Sequence, residues 1–168
     1  MNLGENPSAS TVAIRLESLE STQHFAETFA TCLPLHMVVC LEGTLGAGKT
    51  TWSQFFAQAL GVAKSEVTSP TFVIIHRYEG SRTIHHIDAY RVQDLDEFLE
   101  LGVEEIFENS GVTLIEWADR VRDVLPSDRI VIQLDWLGES QRSALLSSTG
   151  PRSREALQQF QRRWQSTP

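Results

Sequence analysis

The sequence predicts a three-layer α/β fold on a mixed central sheet, with parallel core strands and an antiparallel hairpin. Two observations carry this. Residues 37–41, Met-Val-Val-Cys-Leu, form an unbroken apolar run, as in a strand buried on both faces. A glycine-rich segment joins that run to Trp52, Phe55, Phe56, Ala59 and Leu60, spaced i, i+3, i+4, i+7 and i+8 like the packed stripe of a helix. Further on, two β-prone runs, 72–78 and 83–87, are joined across Glu79-Gly80-Ser81-Arg82, which predicts a hairpin.

The remaining elements follow in order. Residues 11–16 alternate, with Val12, Ile14 and Leu16 on one face, and predict a half-exposed strand. Phe25, Ala26, Phe29 and Leu33 place a helix over 21–33. Gly61 stands where a helix ends in a left-handed glycine. Pro70 marks 65–70 as loop. Asp94 followed by Glu97 predicts a helix start, with Leu95, Phe98 and Leu99 on one side. Residues 112–115 and 130–134 read as short buried strands. Residues 141–148 fit either strand or helix, and an edge strand is favoured. Leu157, Phe160 and Trp164 predict a terminal helix over 154–164. The 168 residues are expected to form a single domain, with an arginine-bearing C-terminal helix and tail from about residue 150.

Composition narrows the function classes. Hydrophobic content is 41%, ordinary for a globular chain, and no apolar run is long enough to span a membrane. The first ten residues lack the basic and apolar stretches of a secretory signal. Cys32 and Cys40 lack C-x-x-C spacing and read as buried free thiols, consistent with a cytoplasmic protein. Net charge is −8, which argues against a broad nucleic-acid grip. Two charged segments could be docking faces or solvated helix surfaces. One is acidic: Asp94, Asp96, Glu97, Glu100, Glu104, Glu105 and Glu108, with no basic residue between. The other is the tail, with Arg152, Arg154, Arg162 and Arg163 against Glu155.

The glycine-rich segment carries the chemistry. Gly43-Thr44-Leu45-Gly46-Ala47-Gly48-Lys49-Thr50 fits G-x-x-x-x-G-K-[ST] at every fixed position. The glycines let backbone N–H groups turn toward phosphate oxygens. Lys49 reaches the β- and γ-phosphates, and the Thr50 hydroxyl takes a place on Mg²⁺. The following helix adds its positive N-terminal end. The fold is therefore expected to be P-loop NTPase-like, and the ligand a nucleoside triphosphate with magnesium. Lys49 and Lys64 are the only lysines in the chain.

Such sites carry a second acid on a neighbouring strand. Glu116 ends the 112–115 strand and Asp88 ends the 83–87 strand, so both would face the crevice at the carboxyl edge of the sheet. Either could instead cap the next segment. His85 and His86 alternate in a strand and point to opposite faces, which disfavours a shared metal ion. His86 lies on the same face as Asp88 and so near the nucleotide. Trp117 could stack on the base or fill the core. Ser69-Pro70-Thr71-Phe72 could be a γ-phosphate-sensing loop or a simple turn.

Four motifs in this order resemble one family. They are Gly43-x-x-Gly46-Ala47-Gly48-Lys49-Thr50-Thr51, Ser69-Pro70-Thr71-Phe72, His86-x-Asp88-x-Tyr90-Arg91 and Ile115-Glu116-Trp117. Over residues 15–136 the chain resembles the bacterial TsaE (YjeE) family, small ATPases of tRNA threonylcarbamoyladenosine (t6A) synthesis. The resemblance implies ATP and Mg²⁺ as cofactors. It implies phosphate contact by Lys49, Mg²⁺ binding by Thr50 and Mg²⁺ ordering by Glu116. It further implies support of metal, water or catalytic geometry by Asp88, a place at the nucleotide for Trp117, and secondary contacts from Thr51 and Thr71. It implies the TsaB–TsaD pair as partners, with tRNA reached only through them. By the same resemblance TsaD would transfer the threonylcarbamoyl group to adenosine 37, and ATP hydrolysis by the TsaE-like protein would reset it between rounds. A small-molecule kinase and a non-catalytic ATP-dependent binding module are the competing readings. No arginine-rich lid is legible, which disfavours the kinase. The absence of an Asn-Lys-x-Asp guanine-reading pattern agrees with ATP.

Overall fold

The computed structural model describes residues 10–67 and 74–166. Seven strands form one sheet in the order β1-β7-β6-β2-β5-β4-β3. They are β1 (Thr11–Leu16), β2 (Met37–Glu42), β3 (Ile75–Glu79), β4 (Thr83–Asp88), β5 (Val112–Glu116), β6 (Ile130–Trp136) and β7 (Arg142–Ser148). The helices are α1 (Leu19–Ala30), α2 (Lys49–Ala59), α3 (Leu95–Glu100), α4 (Val103–Glu108) and α5 (Pro151–Gln165), with a 3₁₀ segment at Ala118–Val124.

The apolar run becomes β2, which lies mid-sheet and pairs in parallel with both β5 and β6. β4 also runs parallel to β5, whereas β3–β4, β6–β7 and β1–β7 are antiparallel. The sheet is mixed with a parallel core, as the sequence predicts. Side chains of β2 alternate between two cores. Val39 and Leu41 join Phe25, Phe29, Trp52, Phe56 and Phe160 beneath α1, α2 and α5. Val38 and Cys40 join Ile87, Phe98, Val103 and Ile115 beneath α3, α4 and the 3₁₀ segment. Helices on both faces make the three layers. The first core is rich in aromatic pairs: Trp52 lies 5.2 Å from Phe56 and 5.4 Å from Phe25, and Phe25 lies 5.5 Å from Phe160. Each such pair is worth about 0.5–1.5 kcal/mol beyond its buried area. Burial pushes the Cys40 thiol up to about 12, so it stays protonated.

Several elements differ from expectation. β7 is a strand, but it lies between β6 and β1, and β1 is the edge. Alternating burial in β7 reports its two faces, and says nothing about whether its backbone has neighbours on both sides. The helix begun by Asp94, whose side chain accepts from the Glu97 N–H at 2.9 Å, ends after six residues. Gly102, at φ 74°, then turns the chain into α4. The 3₁₀ segment was not legible because its charged residues mask the periodicity. Residues 68–73 lie outside the described residues, and with them the first two positions of the hairpin's first run, the Thr71 expectation and the whole Ser69-Pro70-Thr71-Phe72 motif.

Candidate nucleotide site

Strands β2, β4 and β5 end at the same sheet edge. In register, Leu41 faces Glu116 and Asp88 faces Glu116. The ladder continues one step past the strands, as Trp117 N donates to Leu41 O and Ala89 N to Glu116 O, each at 3.0 Å. These bonds hold the last turn of each strand and therefore the carboxylates they carry.

The phosphate-loop backbone leaves β2 at Gly43, which has φ 138°. A Cβ there would sit 2.2 Å from the Leu134 carbonyl oxygen, so only glycine passes. Gly48 caps α2 with φ 102° and offers no side-chain cap, and the first turn of α2 holds no acidic residue. The first N–H groups of α2 and its positive dipole end thus face the loop without an internal anion. A Cβ added at Gly46 would meet nothing within 4 Å, so the space over the loop is open. This cradle fits a chain of phosphates.

Lys49 is 5% exposed, and its Nζ donates to the carbonyls of Gly43 at 2.6 Å and Thr44 at 2.9 Å. The ammonium also lies 3.7 Å from the Trp117 ring centroid. Burial lowers the Lys49 pKa, while Glu116, Asp119 and Asp88 oppose that shift. Trp117 adopts a left-handed backbone (φ 59°), costly for a bulky residue, and packs 4.9 Å from Tyr90. Its ring lines the cleft together with Lys49, Thr50 and Glu116. Trp117 thus borders both places: its half-buried ring lines the mouth of the loop and also packs against the second core.

Glu116 is 2% exposed and sits between two donors. Thr50 Oγ1 donates to its Oε2 at 2.8 Å, and His86 Nε2 lies 2.7 Å from its Oε1. Asp88 is half-buried, and its Oδ1 accepts from Tyr90 N at 2.9 Å. Burial raises the Asp88 pKa above the ordinary carboxylate value, opposed by the Tyr90 amide and reinforced by Glu116. Among the described residues, no group of three or more His, Cys, Asp or Glu side chains is arranged to hold a metal alone. Thr50 Oγ1 and the Glu116 carboxylate are hard oxygen donors of the kind Mg²⁺ takes, one or two at a time, together with phosphates and water.

Sequence reasoning missed Arg142. Its Nε donates to Ala47 O at 3.1 Å, its Nη2 reaches Gly46 O at 3.4 Å, and its Nη1 donates to Gly138 O at 2.8 Å and Gln141 O at 2.9 Å. One guanidinium therefore ties the phosphate loop to the β6–β7 turn, drawing two loop carbonyls outward. Nothing local in the sequence marks it, because the contact spans 95 residues. A second, mainly apolar cleft of about 290 Å³ adjoins the loop at Ala47, Gly48 and Thr51, walled by Leu16, Leu19 and Leu134. Two of the α5 arginines are exposed but tied to neighbouring segments: Arg152 donates to Leu35 O and Arg163 to Thr31 Oγ1. Among the described residues no helix is long and apolar enough to cross a membrane.

Comparison with known proteins agrees with the geometry. The family model described as "Threonylcarbamoyl adenosine biosynthesis protein TsaE" matches residues 16–144. The Bacillus subtilis (strain 168) protein named tRNA threonylcarbamoyladenosine biosynthesis protein TsaE is 39% identical over 134 residues, covering 79% of this chain and 83% of that protein. The Aquifex aeolicus protein of the same name is 40% identical over 129 residues, covering 76% and 89%. The crystal structure of Bacillus subtilis YdiB superposes with a TM-score of 0.75 and 31% identity, covering 93% of this chain and 97% of that one.

Proposed function

The chain belongs to the TsaE family, and on that premise we propose that it binds ATP with Mg²⁺ and hydrolyses it in tRNA t6A synthesis, acting with TsaB and TsaD to permit repeated transfer cycles. The observation that carries this reading is the bond between Thr50 and Glu116, which sets a phosphate-loop hydroxyl against a buried carboxylate at the strand edge.

The residues divide the work as follows. Backbone N–H groups of 43–51, chiefly in Gly43, Thr44, Leu45, Gly46, Ala47 and Gly48, surround the phosphates, with Thr51 a secondary contact. Lys49 would exchange its two carbonyl partners for the β- and γ-phosphates. Thr50 and Glu116 would hold Mg²⁺. Asp88, beside Glu116 in register, would orient water or metal. Trp117 lies under Lys49 at the mouth, and the apolar cleft beside Thr51 seats the nucleoside. Bound Mg²⁺ supplies charge neutralisation at the phosphate oxygens.

The net charge of −8 supports leaving tRNA to the partners, and hydrolysis in a cytoplasmic complex follows from the same reading. ATP turnover by the full chain, alone and with TsaB–TsaD, tests it, with Lys49→Ala as control. Slow turnover alone and a clear rise with partners is the expected result. Equal rates would remove partner activation, and phosphate transfer to added nucleosides or sugars would favour a kinase.

A further inference from the structure

We propose that His86 is a positioning residue that fixes the plane of the Glu116 carboxylate and so sets the Mg²⁺ requirement of the site. The inference rests on the reading that Glu116 orders Mg²⁺.

Thr50 alone leaves Glu116 free to swing about a single bonded oxygen. His86 removes that freedom by engaging the other oxygen at 2.7 Å. A carboxylate oxygen only accepts, so Nε2 carries the shared hydrogen. Both side chains are almost wholly buried, at 1% and 2% exposure, so water does not compete for either. The topology explains the reach. Asp88 is opposite Glu116 and His86 is opposite Leu114, so His86 approaches Glu116 along the sheet diagonal, from the same strand face as Asp88. The Tyr78 ring, 6.2 Å away, packs beside the imidazole. A single N–H donor orients the carboxylate without the permanent charge that a lysine or arginine would place beside a cation. Carboxylates that serve metals are held by such outer partners, whose loss typically weakens metal affinity or activity about 10–100-fold.

The test uses the full chain and Mg²⁺ itself. Glutamine places its amide nitrogen where Nε2 stands, whereas asparagine places it nearer Nδ1 and falls short of Glu116. His86→Gln is expected to keep the half-saturating Mg²⁺ concentration for ATP hydrolysis within about 2-fold, and His86→Asn to raise it about 10-fold or more. ADP binding in excess chelator should be unchanged in both. Equal Mg²⁺ requirements for the two variants, or loss of metal-free ADP binding in step with activity, would overturn the proposal. Glu116→Gln separates the two readings. If it leaves the Mg²⁺ requirement untouched, the metal role of Glu116 fails. If it shifts the requirement while His86→Asn does not, only the positioning role fails. The unsubstituted protein gives a second measurement: nitrogen NMR should show His86 protonated at Nε2, and an Nδ1–H tautomer would overturn the inference even if His86→Asn does not fold.

Discussion

Thr50 Oγ1 donates a 2.8 Å hydrogen bond to Glu116 Oε2, across 66 residues of sequence. The first turn of α2 and the last residue of β5 are joined at the point where a metal ion would meet the phosphates. Thr50→Val removes the hydroxyl and is expected to lower ATP hydrolysis at least about 10-fold, as loss of a metal-site contact does. Thr50→Ser should retain most activity. Steady-state hydrolysis at saturating Mg²⁺ measures both, and equal activity in the two variants would disprove a role for the hydroxyl.

Lys49 rests 3.7 Å from the Trp117 ring centroid while donating to two loop carbonyls. Nucleotide that draws the ammonium onto phosphate changes the charge over the indole. Tryptophan fluorescence should therefore change on ADP addition and the change should vanish in Trp117→Phe. A persistent signal would point to Trp52, Trp136 or Trp164.

Asp88 gives a pH dependence of known sign. Burial raises its folded-state pKa above the ordinary 3.8. Between those two values the folded chain binds more protons than the unfolded chain, so Asp88 lowers stability as pH rises through the window. The full deficit is present above it. Asp88→Asn should raise Tm at neutral pH, with the gain disappearing as pH falls below about 4, while hydrolysis declines. Thermal unfolding across pH checks this. A gain that grows toward acid would reverse the assignment.

Arg142 should matter to nucleotide affinity more than to folding. A lysine keeps the charge but cannot span the carbonyls of Gly46 and Ala47 and the β6–β7 turn together. Losing one charged hydrogen bond, about 1.5 kcal/mol, corresponds to roughly 10-fold weaker ADP binding in Arg142→Lys. Titration of ADP with both proteins checks it. Unchanged affinity would mean that the loop holds its shape unaided.

Helix α5 is part of the core. Ala156, Leu157 and Phe160 are buried in it, and Arg152 and Arg163 are tied to Leu35 and Thr31. Truncation at Gly150 therefore should unfold the chain rather than expose a docking tail defect. Gly150 has no side chain to cap α5, so Asp128 accepts from Arg152 N at 2.9 Å and Ser153 N at 3.0 Å instead. Burial alone would push the Asp128 pKa up, but these donors and the Arg152 charge overcome it and hold the pKa below 3.8. The stability it adds is present above that value and is lost as pH falls through the depressed one. Asp128→Ala should cost about 1–2 kcal/mol at neutral pH in denaturant unfolding. No change would show that the Ser153 cap suffices.

The sequence by itself determined the strand–loop–helix unit at Met37–Ala59, because apolar periodicity and φ-demanding glycines are local properties. It also marked Glu116 and Asp88, since each ends an apolar strand and so must reach a sheet edge. Only the tertiary structure decided what those carboxylates touch. The Thr50, His86 and Arg142 contacts depend on which strands are neighbours, and sheet order is a long-range choice that no local pattern encodes. For the same reason β7, expected at an edge, lies inside the sheet. Trp117, open between core and cleft in the sequence, borders both, with Lys49 over its ring and the second core against it.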